Sequence, residues 1–285
     1  MDTKIRLPDF IGIGSPRCGT TFLVSLLKQH PKIHFNPYFK EIHFFDNNYH
    51  KGLNWYANFY KDISKNVLCS DFTPSYLLLE KNIKKIYEFN KNIKLVACFR
   101  DPIARTFSHY VHKDRTRNWH KDFFDIINDK DNEIVDYSLY GAQLKMALKY
   151  FPQKNIHIII FEDLISNPQD TLSALFRFLE IQEFKVNIEK VVKNSSNDYY
   201  IRSLNYFIRI IRTLCRKSYY MRLIFYDVMQ GAYLLNFIRK INYKQNRDIG
   251  PILNSESRKY LIRYFFKDKI LLEKLIGRKI TNWSF

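Results

Sequence analysis

The chain has 285 residues, of which 46% are hydrophobic and 16% aromatic, so it carries enough apolar side chains for a folded core and is not a disordered protein. Its formal net charge of +18 predicts an anionic partner, whether a nucleotide, a phosphorylated cofactor, an acidic polysaccharide, nucleic acid or anionic lipid. Solubility, or a genome that favours Lys, Ile and Asn, is the other explanation of that charge. The four cysteines lack the spacing of a disulfide framework or a CxxC metal site, which is typical of a reducing compartment.

The N-terminal sequence MDTKIRLPDF leads directly into the first apolar run and has no features of a signal peptide, a transit peptide or a membrane span. We therefore expect a cytoplasmic protein. Phe10 to Ile13 predict a short buried strand, because the apolar run stops at Gly14. A tight turn from Ser15 to Gly19 follows, and the apolar spacing after it predicts a helix that begins at Thr20 and Thr21.

This strand, turn and helix together predict an anion-binding loop. The free amides of the first helical turn and the positive end of the helix dipole both face whatever lies in the turn. Gly14 to Thr21 has the G-x-x-x-x-G spacing of a P-loop, but Thr20 stands where a nucleotide hydrolase needs its lysine. The loop is therefore suited to a phosphate, and its only strong charge is Arg17.

A charged residue in an aromatic segment marks a second candidate site. Phe39 to Asp46 reads FKEIHFFD, where Glu41 and His43 are unusual among so many apolar neighbours. A carboxylate in such surroundings is either paired or poised for proton transfer, so Glu41 either forms an ion pair with Lys40 or a nearby base, or acts as a general base. The polar-aromatic segment Asn48 to Tyr60 is expected to form a connector and a helix at one wall of a cleft.

Two further strands are predicted at Asn66 to Ser70 and at Ile93 to Phe99, both short apolar runs bounded by turn residues. The loop Asp71 to Tyr76, in which proline restricts the turn, and a basic helix from Glu80 to Asn90 lie between them. Strands that alternate with helices in this way are typical of a parallel sheet.

A third cluster of polar residues follows the strand that ends at Phe99. Pro102 suits the first position of a helix, with Asp101 as its N-cap. Arg100 at the strand end and Ser108 two turns into the helix are both expected to face one ligand at the carboxyl edge of the sheet. The alternatives are an ion pair of Arg100 with Asp101 or Asp71, and an ordinary helical role for Ser108.

The remaining elements continue the same alternation. A helix is predicted from Tyr140 to Tyr150, a strand from Ile156 to Phe161, and a last helix from Ser255 to Gly277. No internal repeat or low-complexity linker interrupts the chain. We therefore expect an α/β fold, with a P-loop-type parallel β-sheet flanked by helices and a helical C-terminal extension, all in a single domain (1–285).

The segment Tyr199 to Arg247 differs from the rest in charge. It contains a single acid, Asp227, against ten basic residues: Arg202, Arg209, Arg212, Arg216, Lys217, Arg222, Arg239, Lys240, Lys244 and Arg247. A basic amphipathic helix with aromatic neighbours fits two roles, a helical cover packed on the sheet or a peripheral contact with the inner surface of an anionic membrane.

Taken together, these motifs resemble the sulfotransferases that use 3′-phosphoadenosine-5′-phosphosulfate (PAPS). Gly14 to Thr21 resembles the family's 5′-phosphosulfate loop, and Arg100 to Pro102 with Ser108 resembles its 3′-phosphate motif. Lys40 to Phe45 and Tyr49 to Tyr56 are similar to the carbohydrate branch, which includes the heparan sulfate sulfotransferases. The segments YGAQL, FEDL and LEKLIGRKITNW continue the likeness, so that it covers most of the chain and is weakest in the basic segment.

The resemblance implies PAPS as the sulfuryl donor and requires no metal. The residues assigned to the donor are Arg17, Cys18, Gly19, Thr20, Thr21, Arg100, Ser108, Tyr140 and Arg247. Arg17 stands where the family usually has lysine. Its guanidinium can stabilise negative charge on the bridging oxygen of the donor, but it donates a proton less readily than an ammonium group.

The resemblance also implies Glu41 as the general base that deprotonates the acceptor, with His43 as the second candidate and Arg17 as the stabilising cation. Phe72 stands where relatives such as the heparan sulfate enzymes often have lysine in the pattern E-K-[ST]-P, while Asp71 keeps the acid. A contact with the sulfate or with the acceptor is therefore expected to differ in this chain.

The acceptor is expected to be a hydroxyl or an amine of a carbohydrate, glycan or glycolipid. Two other classes fit single features of the sequence. A P-loop kinase or hydrolase would use ATP and Mg²⁺, which the missing P-loop lysine disfavours, and a non-enzymatic binding protein for membranes or nucleic acid would explain the charge. No nucleic-acid-binding module is recognisable, so no nucleic acid is expected as a partner, and the sequence indicates no oligomeric state.

Overall fold

The computed structural model describes residues 5–117, 122–129, 132–192, 198–199, 243–244 and 253–285. Its centre is a five-stranded sheet in which every neighbouring pair is parallel and the strand order is β2-β3-β1-β4-β5. The strands are β1 (Phe10–Gly14), β2 (Ile33–Phe35), β3 (Leu68–Phe72), β4 (Lys94–Phe99) and β5 (Ile156–Ile160). The predicted α/β class with a parallel sheet flanked by helices is confirmed.

Helices connect the strands and cover the sheet. They are α1 (Thr20–Leu27), α2 (Gly52–Ala57), α3 (Glu80–Phe89), α4 (Pro102–Arg117), α5 (Phe123–Ile127), α6 (Glu133–Asp136), α7 (Tyr140–Ala147), α8 (Phe161–Ser166), α9 (Pro168–Leu179), α10 (Glu189–Val192) and α11 (Ser255–Ile276). Short π and 3₁₀ segments occupy Phe44–Asn48, Tyr49–Lys51, Pro74–Leu78 and Gln153–Asn155. A two-residue antiparallel pair joins β6 (Asp198–Tyr199) to β7 (Tyr243–Lys244).

The position of β1 decides where a ligand can bind. Its five residues are all buried, and it lies between β3 and β4, so the loops that follow these three strands meet at one edge. The Ser15 amide donates to the Cys98 carbonyl at 2.8 Å, and the Thr73 amide donates to the Gly12 carbonyl at 3.0 Å. The chain changes direction beside β1, and in open α/β sheets this switch point is where ligands bind.

Two apolar clusters support this edge. The larger one packs on both faces of the sheet, and the smaller one joins α4, α5, α6 and α11 around Ile103, Phe123 and Phe265. Asp268 of α11 holds the start of α7, because its carboxylate accepts from the Gly141 and Ala142 amides at 2.8 Å each. The long C-terminal helix therefore stabilises the wall that α7 forms beside the sheet.

The strands that the sequence predicted lie within two residues of their expected positions, and one strand of the main sheet was missed. The second predicted strand, Asn66 to Ser70, lies two residues further along, at Leu68–Phe72. Strand β2 was not predicted, because its three residues, with His34 in the middle, form no apolar run of recognisable length. Trp283, near the C-terminus, is buried, and its indole donates to Glu162 Oε2 at 3.0 Å.

The basic segment Tyr199 to Arg247 lies outside the described residues except for Tyr199 and the pair Tyr243–Lys244. Its role as a helical cover or a membrane contact, and the division of the chain into a single domain, therefore stay predictions. In the described part of the chain, no helix combines the length and apolar character needed to cross a bilayer.

The close contact between Gly12 and Phe72 allows a first prediction. A Cβ atom added at Gly12 would lie 2.2 Å from Cγ of the buried Phe72 ring, so Gly12→Ala forces the central strands apart. We expect it to lower the free energy of unfolding by about 1–3 kcal/mol, measured by urea denaturation. Combining it with Phe72→Leu should recover part of the loss, because the ring is what the new methyl group meets.

The control is Gly277→Ala, at the end of α11. Nothing lies within 4 Å of a Cβ atom there, so only its left-handed backbone (φ 72°) opposes the substitution. Additive losses in the Gly12→Ala/Phe72→Leu double variant would contradict the contact.

Candidate functional site

The loop between β1 and α1 has the geometry of an anion site. Gly19 is the N-cap of α1 with φ 75°, a left-handed conformation that favours glycine, and an added Cβ would lie 2.0 Å from the ring of Phe161. The N-cap has no side chain, so it leaves the first amides of the helix uncapped. These amides and the positive end of the dipole provide a binding place for a phosphate.

Arg17 links this loop to the helix that follows β4. Its Nη2 lies 3.2 Å and its Nε 3.4 Å from Oγ of Ser108 on α4. The backbone at Arg17 is also left-handed, with φ 69°, a conformation that occurs often at binding sites. The loop and Ser108 are thus in contact in the folded chain, which is consistent with the expectation that they face one ligand.

Arg100 lies at the same edge, at the end of β4. Its guanidinium is 5.3 Å from the centroid of the Phe161 ring, the same ring that approaches Gly19. The expected alternative, an ion pair with Asp101, is not among the pairs of the described residues. Asp101 instead caps α4, as predicted, by accepting from the Ile103 amide at 2.8 Å. Phe161 therefore connects the two halves of the site.

Beneath the loop lies a buried cation that the sequence did not single out. Arg105 is fully buried, and its Nε donates to the Pro16 carbonyl at 3.0 Å while its Nη1 donates to the Ile134 carbonyl at 2.6 Å. In the described part of the chain, no carboxylate lies within ion-pair distance of this guanidinium. No carboxylate of the described residues therefore offsets its positive charge, which adds to the attraction of an anion in the loop.

A second cation reaches the loop from a distant part of the sequence. Lys40 Nζ lies 2.9 Å from Thr20 Oγ1, 3.2 Å from Thr21 Oγ1 and 3.1 Å from Glu41 Oε1. Arg17 is the only charged residue within the loop itself, and Lys40 adds a second cation from outside it. Folding brings the chain after β2 against the start of α1, and that contact between distant segments has no local signal.

Glu41 is the accessible end of a chain of polar side chains. Its Oε2 lies 3.4 Å from His43 Nε2, and His43 Nδ1 lies 2.9 Å from Asp46 Oδ2. Asp46 accepts in turn from Ser75 Oγ at 2.6 Å. The Glu41 side chain is 37% exposed and that of Asp46 only 12%, so Glu41 is the member that a second substrate can reach.

The neighbours of Glu41 determine its protonation. Burial alone would raise its pKa, but the hydrogen bonds and charges of His43 and Lys40 outweigh burial and lower the pKa to about 2. Burial lowers the pKa of Lys40, and Glu41 partly offsets that effect. At neutral pH Glu41 is a carboxylate held by two donors, so the expected ion pair with Lys40 is present, while its role as a general base stays a prediction.

A buried carboxylate holds the Glu41 segment in place. Asp71 is fully buried and accepts from the hydroxyls of Tyr56 at 3.0 Å, Tyr76 at 2.6 Å and Thr73 at 2.6 Å. Its Oδ1 also accepts from the Ile42 amide at 3.3 Å. Burial raises the pKa of Asp71, and its hydrogen-bond donors oppose that rise. The motif residue thus acts as an anchor for the backbone on which Glu41 lies.

Two further residues, Tyr140 and Arg247, were assigned to the sulfuryl donor by the sequence analysis. Tyr140 is buried, stacks on Phe99 with 4.5 Å between ring centroids, and places its hydroxyl 3.2 Å from Cys18 Sγ. It therefore contacts the loop from its buried side. Arg247 lies outside the described residues.

The sequence of this chain is similar to those of known proteins. A family model described as a sulfotransferase domain matches residues 7–203. The human heparan sulfate glucosamine 3-O-sulfotransferase 5 is 29% identical over 217 residues, which cover 72% of this chain and 62% of that protein. The Drosophila melanogaster bifunctional heparan sulfate N-deacetylase/N-sulfotransferase is 27% identical over 320 residues, covering 97% of this chain and 27% of that protein.

A solved sulfotransferase from Alicyclobacillus acidocaldarius has the same fold, with a TM-score of 0.71 at 19% identity, and the match covers 99% of this chain and all of that one. This chain spans less than two thirds of the length of the curated heparan sulfate relatives described above. The resemblance to sulfotransferases, and to their carbohydrate branch, is confirmed.

The buried pair Arg105–His109 makes stability depend on pH. Arg105 Nη2 lies 3.0 Å from His109 Nδ1, so the ring nitrogen accepts the hydrogen bond and the imidazole is neutral. Burial lowers the pKa of His109 to about 3, with further lowering by the charges of Arg105, Lys113, Arg17 and His112.

We therefore expect the free energy of unfolding to fall as the pH drops from about 6.5 towards about 3, because over that range the unfolded chain binds a proton at His109 that the folded chain does not. One such proton accounts for about 1.4 kcal/mol per pH unit. His109→Gln keeps an acceptor for Arg105 and should flatten this slope in urea denaturation at pH 7, 6 and 5. Replacing the exposed His50 by Gln should leave it unchanged; equal slopes in both variants would rule His109 out.

Proposed function

Because this chain belongs to the sulfotransferase family, we propose that it transfers a sulfuryl group from PAPS to a hydroxyl or an amine of a carbohydrate acceptor, with Glu41 as the general base. The observation that carries the proposal is the contact of Arg17 with Ser108. It joins the loop suited to a 5′-phosphate to the helix suited to a 3′-phosphate, so one adenosine bisphosphate can engage both.

The residues fit such a donor in charge and in hydrogen-bonding character. The start of α1 offers amides to the 5′-phosphate, and the guanidinium of Arg100 with the hydroxyl of Ser108 suits a 3′-phosphate. The buried positive charge of Arg105 adds to the attraction for both phosphates, because it lacks a carboxylate among its described neighbours. ATP has no 3′-phosphate and would leave the second half of the site without a ligand.

Bound PAPS would supply an activated sulfur atom whose bond to the bridging phosphate oxygen breaks as the acceptor forms its own bond to sulfur. Glu41 accepts the proton of the acceptor hydroxyl or amine, and the electron pair of the broken bond stays on the 5′-phosphate. Arg17 and the amides of the loop stabilise the negative charge that grows there. The reaction thus depends on positioning and electrostatics rather than on a covalent enzyme intermediate.

His43 has a supporting role in this scheme. It lies between Glu41 and Asp46, at 3.4 Å and 2.9 Å, so its ring orients the Glu41 carboxylate while Asp46 orients the ring. It is also the second candidate for the base, since an imidazole can accept the proton if the acceptor approaches from its side.

The acceptor class is inferred from relatives. Both curated relatives described above are named for heparan sulfate, one as an O-sulfotransferase and one as an N-sulfotransferase. We therefore propose a glycan or glycolipid acceptor that offers glucosamine-type hydroxyls or amines. Contact of the basic segment 199–247 with an anionic membrane would bring the enzyme to a lipid-linked acceptor, and it remains part of this proposal.

Donor binding provides the first test. In calorimetry, adenosine 3′,5′-bisphosphate should bind more tightly than ATP, and Arg100→Ala should raise its Kd by about 10- to 100-fold, because a charge-assisted contact is lost. Arg177→Ala is the control, since Arg177 lies on α9 and pairs with Glu183 at 2.9 Å. Tighter binding of ATP, or an unchanged Kd in Arg100→Ala, would contradict the assigned donor.

Transfer of radioactive sulfate provides the second test. Wild-type protein with ³⁵S-labelled PAPS should label heparosan in its N-acetylated or its N-deacetylated form, and labelling of the N-acetylated form, which has no free amine, would identify a hydroxyl as the acceptor. Glu41→Gln should lower the rate by about 10²- to 10⁴-fold, the usual contribution of a general base, and change the Kd for the bisphosphate less than threefold. The control is Glu80→Gln, whose carboxylate pairs with Lys149 at 3.2 Å on the surface. Unchanged turnover in Glu41→Gln would remove Glu41 from the reaction.

A further inference from the structure

Lys40 occupies the space between the two halves of the proposed reaction. Its ammonium group touches the hydroxyls of Thr20 and Thr21, which begin α1, and the carboxylate of Glu41. A 5′-phosphate would lie at the start of α1, and the base must lie beside the acceptor. The group that is transferred therefore belongs between these two places, where Lys40 now lies.

Other cations of the site point elsewhere. Arg17 reaches Ser108, Arg100 lies over Phe161, and Arg105 is buried beneath the loop. Position 72 adds no charge, since Phe72 is fully buried and its ring packs against Gly12. Among the side chains that the structure describes, Lys40 is the cation that contacts both the start of α1 and the base.

The hydrogen-bonding capacity of Lys40 is already used. An ammonium group has three N–H donors, and the three oxygens that surround Nζ lie at 2.9, 3.1 and 3.2 Å. A new anion can gain a bond from Lys40 only if one of these contacts is given up. Of the three contacts, the one with Glu41 lies on the side of the acceptor. The negative charge of the Glu41 carboxylate would also repel an anionic sulfonate placed next to it, so this contact is the one to be given up.

We propose that Lys40 binds the sulfonate of the donor, and that it exchanges its bond with Glu41 for that contact when PAPS binds. The inference rests on the function proposed above and adds a residue that the motifs do not assign. Its consequence for the chemistry is direct. Glu41 loses one of the two partners that hold its pKa low, so the carboxylate becomes a stronger base only when a sulfuryl group is present to be transferred.

The test compares two ligands that differ only in the sulfonate, PAPS and adenosine 3′,5′-bisphosphate, by calorimetry in the absence of an acceptor. Lys40→Met should raise the Kd for PAPS about tenfold more than the Kd for the bisphosphate, because one charge-assisted contact is lost with the first ligand alone. Lys269→Met is the matched control. Lys269 pairs with Glu273 at 3.1 Å with a 16% exposed side chain, against 3.1 Å and 19% for Lys40.

A second variant should change the Kd for PAPS in the opposite direction. Glu41→Gln removes the competing carboxylate, so it should tighten PAPS binding about threefold or more while leaving the bisphosphate unchanged. Thermal melting of Lys40→Met and Lys269→Met shows whether Lys40→Met folds. If it does not fold, Glu41→Gln still tests the role of Lys40. An unchanged ratio of the two Kd values in Lys40→Met, or weaker PAPS binding in Glu41→Gln, would overturn the role of Lys40. If the wild-type protein binds neither ligand, it is the proposed donor that fails.

Discussion

The arrangement of the site depends on one buried carboxylate. Asp71, at the end of β3, accepts hydrogen bonds from three side-chain hydroxyls and from the Ile42 amide. A buried charge is tolerated only when donors surround it, so this cluster has few alternative arrangements. The backbone of Ile42 is thereby held above the sheet edge, with Lys40 and Glu41 just before it. Without that anchor Glu41, the proposed base, would have no defined distance from the loop.

Electrostatics explain why acidic and basic side chains lie close together in this site. Arginine and lysine side chains approach the loop from β4, α4 and the segment after β2, and their combined charge favours an anion. The carboxylates nearby are each held by hydrogen-bond donors of the chain. Asp101 caps α4, Asp46 accepts from Ser75, and Glu41 is held by Lys40 and His43. The site therefore favours an anion and still contains an ionised carboxylate.

The local motifs were predictable because each of them is formed by consecutive residues. The strand ending at Gly14, the turn to Gly19 and the start of α1 have signals in apolar runs, glycine and helix periodicity. The cap at Asp101 was visible for the same reason. Strand β2 was not, because three residues are too few for periodicity, and the buried role of Arg105 was not, because an arginine on a helix is ordinarily exposed.

Sequence alone thus determined the fold class, and its short-range signals predicted the anion loop. Resemblance to the family supplied the 3′-phosphate motif and Glu41 as the candidate base. Tertiary structure decided which of these segments contact each other and which further residues, such as Lys40 and Arg105, lie beside them. The contact of Arg17 with Ser108 spans 91 positions and that of Lys40 with Thr20 spans 20. Contacts over such separations arise from strand order and packing, and no pattern of neighbouring residues specifies the resulting distances.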